Sequence, residues 1–177
     1  INQKFKFVCG HSLGEFTALC AANVISLKDT AYLLKIRGQS MQEAVPQGKG
    51  SMAALISSDF SELNNLLNLG KQIGVCEIAN HNSSEQIVIS GHKKAVKEVV
   101  DNSSKFLIKK ALLLNVSAPF HCSLMNNAAE AMKGKINNTK FENPSFNIIS
   151  NVTGQVENNS NNIKELLIKQ IFSTVKW

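Results

Sequence analysis

The sequence predicts an α/β fold in which a parallel-sheet core carries an inserted βαββαβ subdomain. The apolar run Phe5-Lys6-Phe7-Val8-Cys9 has strand character, and a helical stretch follows it after Gly10. Residues 50–116 alternate strand-like and helix-like stretches in the order of the split ferredoxin-like motif. A further apolar run over residues 146–150 returns the chain to the first sheet.

These observations divide the chain into two units. Residues 1–49 and 117–177 form the core, and residues 50–116 form the insert. The chain starts inside the first predicted strand and ends at Trp177. Because a central strand needs neighbours on both edges, we expect the core to be incomplete and further strands to precede Ile1.

Composition limits the classes of protein that fit. The 177 residues are 44% hydrophobic and contain no apolar stretch long enough for a transmembrane helix. No basic cluster with interleaved aromatic residues indicates nucleic-acid binding. The net charge of +6 favours acidic partners only weakly, because a compositionally biased genome rich in Lys, Asn and Ile codons gives the same excess. The cysteines lack metal-binding spacing and are predicted to be reduced and buried in a cytoplasmic protein; they are Cys9, Cys20, Cys76 and Cys122.

The first strand and helix are joined by a serine motif. Gly10-His11-Ser12-Leu13-Gly14 has the Gly-x-Ser-x-Gly pattern of a nucleophile elbow, and a helix is predicted over residues 16–22. Glycines two residues to either side of Ser12 let strand and helix pass closely, and the N–H of Leu13 is the natural first oxyanion donor. A Gly-Ser turn that only caps a helix also fits the pattern.

A second helix is predicted from Asp29 to about Glu43, with Pro46 and Gly48 ending it. Its apolar stripe consists of Ala31, Leu33, Leu34 and Met41. Arg37 lies in the middle of this helix, where a solvated arginine or a surface ion pair is the ordinary outcome.

The insert has no chemical cluster of its own. Its predicted elements are strand 51–56, helix 60–69, strand 74–79, strand 86–91, helix 92–103 and strand 109–116. A turn over His81-Asn82-Ser83-Ser84 joins the two middle strands. We expect both His81 and His92 to lie at the surface.

After the insert, a strand leads into a loop fixed by Pro119, and a helix follows over residues 124–133. His121 in this loop is the best candidate base for Ser12, although an ordinary structural histidine fits the same position. The strand 146–150, an Asn-rich loop over 151–162 and a last helix over 163–172 complete the chain. That helix contains Gln170, where a glutamine facing water is the simpler interpretation.

Together, the motifs resemble those of the malonyl-CoA:acyl carrier protein transacylases of bacterial type II fatty-acid synthesis. In chain order they are Gly10-His11-Ser12-Leu13-Gly14-Glu15, Arg37-Gly38 with the segment 41–46, Ala118-Pro119-Phe120-His121, and Gln170 with Val175-Lys176-Trp177. The likeness covers nearly the whole chain and implies an α/β-hydrolase-like core with a ferredoxin-like insert. It also implies an internal fragment lacking both ends, including the glutamine whose backbone N–H is the second oxyanion donor.

The resemblance implies a role for each matching residue. Ser12 would be the nucleophile that accepts malonyl from coenzyme A, and His121 would be the general base and then the acid. Arg37 would pair with the free malonyl carboxylate. His121 would be oriented by a backbone carbonyl near Gln170 instead of an aspartate, which agrees with the lack of an evident third carboxylate.

The resemblance also implies that His11, Leu13 and Phe120 line the substrate pocket, the last two in the malonyl-selective pattern. The partners would be malonyl-CoA and acyl carrier protein, with no metal or other cofactor, nucleic acid or membrane. Three alternatives stay open: a serine thioesterase or lipase that does not need Arg37, an inactive domain that only docks an acidic carrier protein through its lysines, and an acyltransferase domain of a polyketide synthase.

Overall fold

A computed structural model describes residues 5–177 of the chain. It confirms the predicted mixed α/β class, with two sheets and helices packed on both. The prediction that the chain starts within a strand falls partly on residues 1–4, which lie outside the described residues.

The strands of the described part are β1 (Phe7–Val8), β2 (Gly50–Ile56), β3 (Cys76–Ser83), β4 (Gln86–His92), β5 (Lys110–Leu113), β6 (Asn147–Ile149), β7 (Val156–Glu157) and β8 (Val175–Lys176). The α-helices are α1 (Leu13–Ala21), α2 (Leu27–Glu43), α3 (Leu63–Lys71), α4 (Lys93–Asn102), α5 (Asn126–Asn138) and α6 (Ser160–Gln170). Short 3₁₀ turns cover Ser103–Phe106 and Ser123–Met125.

The smaller sheet has the order β1-β6-β7, with β1 parallel to β6 and β7 antiparallel to it. Its core is formed by side chains from α1, α2, α5 and α6 packed around Ile148 of β6. Among the most deeply buried are Phe16, Leu19, Leu33, Met132 and Leu167. This apolar layer fixes the helices that carry the candidate site residues.

The larger sheet has the order β5-β2-β4-β3-β8. Its first four strands are antiparallel neighbours, and α3 and α4 cover one face through a second core that includes Leu55, Leu66 and Val99. The last strand, β8, comes from the end of the chain and pairs in parallel with Asn80 and His81 of β3. The sequence assigns residues 175–176 to the predicted core, whereas the structure pairs them with the edge of the larger sheet.

The first strand is shorter and more exposed than the sequence predicts. The first strand is only two residues long, and Phe5, Phe7 and Cys9 are exposed because β1 pairs on one side alone within the described residues. The predicted burial of all cysteines thus holds for Cys76 and Cys122, while Cys20 is partly exposed.

Three other segments contain more regular structure than predicted. The turn expected at His81 begins later, because β3 continues to Ser83. The pairing of β3 with β4 is irregular between Ile78 and Asn80 and between His81 and Ser83. The Asn-rich loop contains β7 and the first turn of α6, since the Asn159 side chain accepts from the N–H groups of Asn161 and Asn162 and caps that helix. The helix after His121 begins at Asn126 after a 3₁₀ turn and extends beyond its predicted end.

None of the helices in residues 5–177 has the length and apolar character needed to cross a lipid bilayer.

Candidate active site

The serine motif forms a sharp turn between β1 and α1. Ser12 has φ 55° and ψ −108°, a left-handed conformation that non-glycine residues rarely adopt. Such strain is concentrated at functional sites, where the surrounding structure enforces it. The turn makes Leu13 the first residue of α1, so its N–H belongs to the unpaired end of the helix.

Gly10 is the position at which strand and helix touch. A Cβ added there would lie 2.0 Å from the carbonyl oxygen of Gly14, whereas a Cβ on Gly14 would meet nothing within 4 Å. The close packing of strand and helix therefore requires glycine at position 10, whereas position 14 has room for a side chain.

We expect Gly10→Ala to destabilise the fold by about 2 kcal/mol or more, since backbone atoms must move to remove the overlap. The matched change Gly14→Ala should instead stabilise it by about 0.5–1 kcal/mol, because alanine is the better helix former. Urea denaturation of both variants measures this. Equal stabilities would contradict the close approach of strand and helix.

The amide of Asn151, just after β6, holds the elbow from the other side. Its Oδ1 accepts from the backbone N–H of Ser12 at 2.7 Å, and its Nδ2 donates to the carbonyl of Gly10 at 2.9 Å. Asn151 is 2% exposed. One buried side chain thus satisfies backbone groups on both sides of the strained turn.

Ser12 and His121 are in direct contact. The Ser12 Oγ lies 2.7 Å from His121 Nε2, and His121 Nδ1 lies 2.8 Å from the backbone oxygen of Gln170. When Nδ1–H donates to that carbonyl, Nε2 is left as the acceptor for the serine hydroxyl, which is the tautomer a general base requires. His121 also has a positive φ, 58°.

Arg37 completes the cluster from α2. Its Nη2 donates to Ser12 Oγ at 2.9 Å and to Gln170 Oε1 at 3.1 Å, and its guanidinium lies 5.7 Å from the ring centroid of Phe16. The side chain is buried, and its Nε has no hydrogen-bond partner among the described residues. The solvated arginine or surface ion pair considered from the sequence is therefore wrong.

Gln170 connects the members of the cluster. It is fully buried, so the water-facing interpretation is also wrong. Its Nε2 donates to the backbone oxygen of Ser12 at 2.8 Å and to Glu15 Oε2 at 2.6 Å. Together with the hydrogen bond from Arg37, these bonds fix the orientation of the Gln170 side-chain amide. They also hold the residue whose backbone carbonyl oxygen faces His121 Nδ1.

Glu15 is the residue that sequence reasoning missed. It lies one helical turn after Ser12, is 3% exposed, and accepts from Gln170 and, at 3.3 Å, from the backbone N–H of Asn151. It does not contact His121 directly, so it is not a conventional third member of a triad. The sequence did contain one indication of its role: Glu15 follows Ser12 by three residues, and residues three apart lie on the same face of a helix.

Burial changes the titration of all three ionisable groups. Desolvation raises the pKa of Glu15 to about 7, although the Gln170 hydrogen bond opposes this. Desolvation lowers the pKa of Arg37 to about 10, so the guanidinium stays charged at neutral pH. Desolvation, helped by the positive charge of Arg37, lowers the pKa of His121 to about 4, so its imidazole is neutral and able to accept a proton.

A cavity of about 340 Å³ opens over this cluster and is lined by His11, Leu13 and Phe120 as well as by Ser12, Arg37 and His121. His11 is half-buried and its ring packs edge-on against Trp177, with centroids 5.3 Å apart. Leu13 is exposed, and Phe120 packs partly against the core. Every site residue named from the sequence thus lies at or beside one cavity, whereas His81 and His92 are exposed elsewhere.

No group of three or more metal-ligating side chains occurs within residues 5–177. The arrangement instead offers a hydroxyl, a neutral imidazole and a guanidinium around one cavity. Such a set can transfer an acyl group through a serine ester and can bind an anion beside it.

Comparison with known proteins agrees with this chemistry. The family model for the acyl transferase domain matches residues 3–176. The malonyl CoA-acyl carrier protein transacylase of Staphylococcus aureus (strain MSSA476) is 38% identical over 177 residues, which cover 99% of this chain and 58% of that protein. The crystal structure of the acyl-carrier-protein-S-malonyltransferase from Bartonella henselae is 48% identical with a TM-score of 0.94, over 98% of this chain and 55% of that one.

A malonyl-transacylase solved in complex with a type II PKS acyl-carrier protein is 35% identical with a TM-score of 0.95, over 99% of this chain and 57% of that one. The chain spans little more than half the length of the proteins that it matches. The match of the family model to residues 3–176 nevertheless covers almost the whole chain, which therefore belongs to the acyl transferase domain family.

Proposed function

We propose that this chain carries the catalytic centre of a malonyl-CoA:acyl carrier protein transacylase. The observation that carries the proposal is that Ser12 Oγ is within hydrogen-bond distance of both His121 Nε2, at 2.7 Å, and Arg37 Nη2, at 2.9 Å. A base and a cation therefore meet at one nucleophile. An acyl group that bears a free carboxylate needs both, because the base activates the serine and the cation binds the carboxylate.

In the first half-reaction, His121 Nε2 takes the hydroxyl proton as Ser12 Oγ attacks the thioester carbonyl of malonyl-CoA. The carbon–sulfur bond breaks, His121 returns the proton to the departing thiolate, and malonyl remains as an ester on Ser12. The N–H of Leu13 at the start of α1 donates to the developing oxyanion. These steps use side chains and backbone of this chain without a metal or other cofactor.

In the second half-reaction, the phosphopantetheine thiol of acyl carrier protein attacks the ester. His121 takes the thiol proton, the carbon–oxygen bond of the ester breaks as the carbon–sulfur bond forms, and malonyl leaves as a thioester on the carrier. His121 then passes the proton to Ser12 Oγ, which restores the free enzyme. The carrier protein as partner is supported by the relative solved in complex with such a protein.

His11, Leu13 and Phe120 are proposed to shape the space around the malonyl group. All three line the cavity above Ser12, and Leu13 and Phe120 directly adjoin the nucleophile and the base in sequence. Gln170 is proposed to hold Arg37 and His121 in position, which its contacts to both support.

We also propose a division of the chain into two structural units. Residues 1–49 and 117–177 would form an α/β-hydrolase-like core, and residues 50–116 a ferredoxin-like subdomain. The antiparallel order β5-β2-β4-β3 supports the second assignment. A cytoplasmic location is proposed because all four cysteines are unpaired, as a reducing compartment keeps them.

Intact mass spectrometry of the protein after mixing with malonyl-CoA tests the proposal. We expect one malonyl adduct on the wild type, none on Ser12→Ala, and loss of the adduct when holo acyl carrier protein is added, with malonyl appearing on the carrier. The Ser117→Ala variant is the matched control, because Ser117 is an exposed serine in the loop before His121.

Release of free malonate without loading of the carrier would favour a serine hydrolase. A folded protein that binds the carrier but forms no adduct would favour a docking domain. Either result would overturn the proposed transacylase.

A further inference from the structure

We propose that Glu15 is a positioning residue that takes up a proton from solvent when the malonyl carboxylate binds Arg37. The inference rests on the proposed function, because it requires a carboxylate at Arg37. It assigns Glu15 the role of a buried counter-charge whose protonation compensates the charge that the substrate brings.

The geometry links Glu15 to Arg37 through one side chain. Gln170 Nε2 donates to Glu15 Oε2 at 2.6 Å, and Gln170 Oε1 accepts from Arg37 Nη2 at 3.1 Å. Because the second Nε2 hydrogen is directed to the Ser12 carbonyl, the amide cannot flip without losing its bonds to Glu15, Arg37 and Ser12. A change in the charge of Glu15 therefore acts through Gln170 on Arg37, which donates to the Ser12 hydroxyl.

The charges around Glu15 balance before substrate binds. Arg37 on α2 supplies the positive charge that acts on the carboxylate, and neutral groups of Gln170 on α6 and of Ser150 and Asn151 after β6 complete its surroundings. His121 also faces Arg37 but is neutral near pH 7, since its pKa is lowered to about 4. Above pH 7, where Glu15 is mostly ionised, Arg37 and Glu15 thus form a nearly neutral buried pair.

A malonyl carboxylate on Arg37 adds a second negative charge to this buried region. An uncompensated buried charge is costly, and a like charge raises the pKa of a nearby carboxyl group. The pKa of Glu15 already lies at about 7, so a further rise protonates it at physiological pH. One proton then moves from solvent to a Glu15 oxygen, no substrate bond changes, and the remaining carbonyl oxygen still accepts from Gln170.

The coupling of proton uptake to substrate binding determines how the KM for malonyl-CoA changes with pH. Binding that takes up a proton is favoured at low pH and weakens as pH rises above the pKa of the free group. The KM for malonyl-CoA should therefore rise between pH 7 and 9, by at most tenfold per pH unit for one proton. Glu15→Gln has a side chain of the same shape that is neutral at every pH, so it takes up no proton and should remove this rise. Glu130→Gln, a change of an exposed glutamate on α5, should retain it.

The wild type gives an independent test. Infrared difference spectra before and after malonylation at pH 7.5, recorded with ¹³C-labelled malonyl so that its own bands shift, should show an unlabelled protonated carboxyl band gained on malonylation. Glu15→Gln should lack this band. The measurement needs no steady-state turnover and separates Glu15 from His121, whose protonation gives no carboxyl band.

The outcomes distinguish the two proposals. Absence of any malonyl adduct would overturn the proposed function and this inference together. An adduct that forms without a new carboxyl band in the wild type would overturn the inference alone. A folded Glu15→Gln variant that kept the wild-type rise of KM with pH would likewise overturn only the role of Glu15.

Discussion

Replacing His121 with alanine should lower kcat/KM for malonyl transfer by about 10²–10⁴, the usual contribution of a general base. His121 Nε2 is 2.7 Å from Ser12 Oγ, and the Gln170 carbonyl holds its other nitrogen. No other imidazole among the described residues is hydrogen-bonded to this hydroxyl. The measurement is the rate of malonyl loading onto holo acyl carrier protein.

Two controls separate catalysis from damage to the fold. His81→Ala changes an exposed histidine of β3 and should leave the rate unchanged. The double variant Ser12→Ala/His121→Ala should be no slower than Ser12→Ala alone, because nucleophile and base act as a unit. A large further loss in the double variant would contradict this assignment of the base.

The pH profile gives a second measure of the same residue. A base must be deprotonated, so the rate falls as pH decreases through its pKa. With the pKa of His121 lowered to about 4, kcat/KM of the wild type should not fall between pH 7 and 5.5, as it would for an ordinary histidine. Because the charge of Arg37 contributes to the lowering, removing that charge should move the acid limb to higher pH.

The local motif at Ser12 could be predicted from the sequence because its cause is local. Glycines on either side of a serine, a strand before it and a helix after it define a turn whatever the rest of the chain does. The structure has that turn, with Ser12 at positive φ and Gly10 against Gly14. The chain order of the elements from β2 to β5 was predictable for a similar reason, since strands and helices differ in hydrophobic period.

The burial of Arg37, Gln170 and Glu15 could not be predicted from the residues alone. Each is a polar residue on a helix, where the ordinary expectation is a solvated face. Only the packing of α1, α2 and α6 around one sheet shows that the Gln170 side chain links Arg37 to Glu15. The resemblance supplied Arg37 and Gln170, but it gave no role to Glu15.

The shortest strands could not be predicted from the sequence either. β7 and β8 are two residues long, and nothing in their composition distinguishes them from loop. The pairing of β8 with β3 joins residues about a hundred positions apart. Such pairing depends on tertiary contacts and not on local propensity.

Replacing Arg37 with alanine should lower kcat/KM for malonyl-CoA by about 150-fold to 5,000-fold, which corresponds to the roughly 3–5 kcal/mol lost when one partner of a buried charge pair is removed. The rate with acetyl-CoA should change far less, because that substrate has no carboxylate for the guanidinium to bind. Acylation of Ser12 by each thioester, followed by intact mass, measures both rates. Arg37→Lys should recover part of the malonyl rate, since it keeps the charge and loses the planar fork of donors.

Comparing the malonyl and acetyl rates also separates the proposed transacylase from a serine hydrolase. A hydrolase of neutral acyl esters does not need a cation at this position, so Arg37→Ala would leave its rate nearly unchanged. Equal losses for malonyl and acetyl substrates would instead mean that Arg37 only holds Ser12 and Gln170 in place, as its contacts to both would allow. A selective loss, with unfolding by urea little altered, would assign the guanidinium to the substrate carboxylate, because a purely structural contact cannot distinguish the two acyl groups.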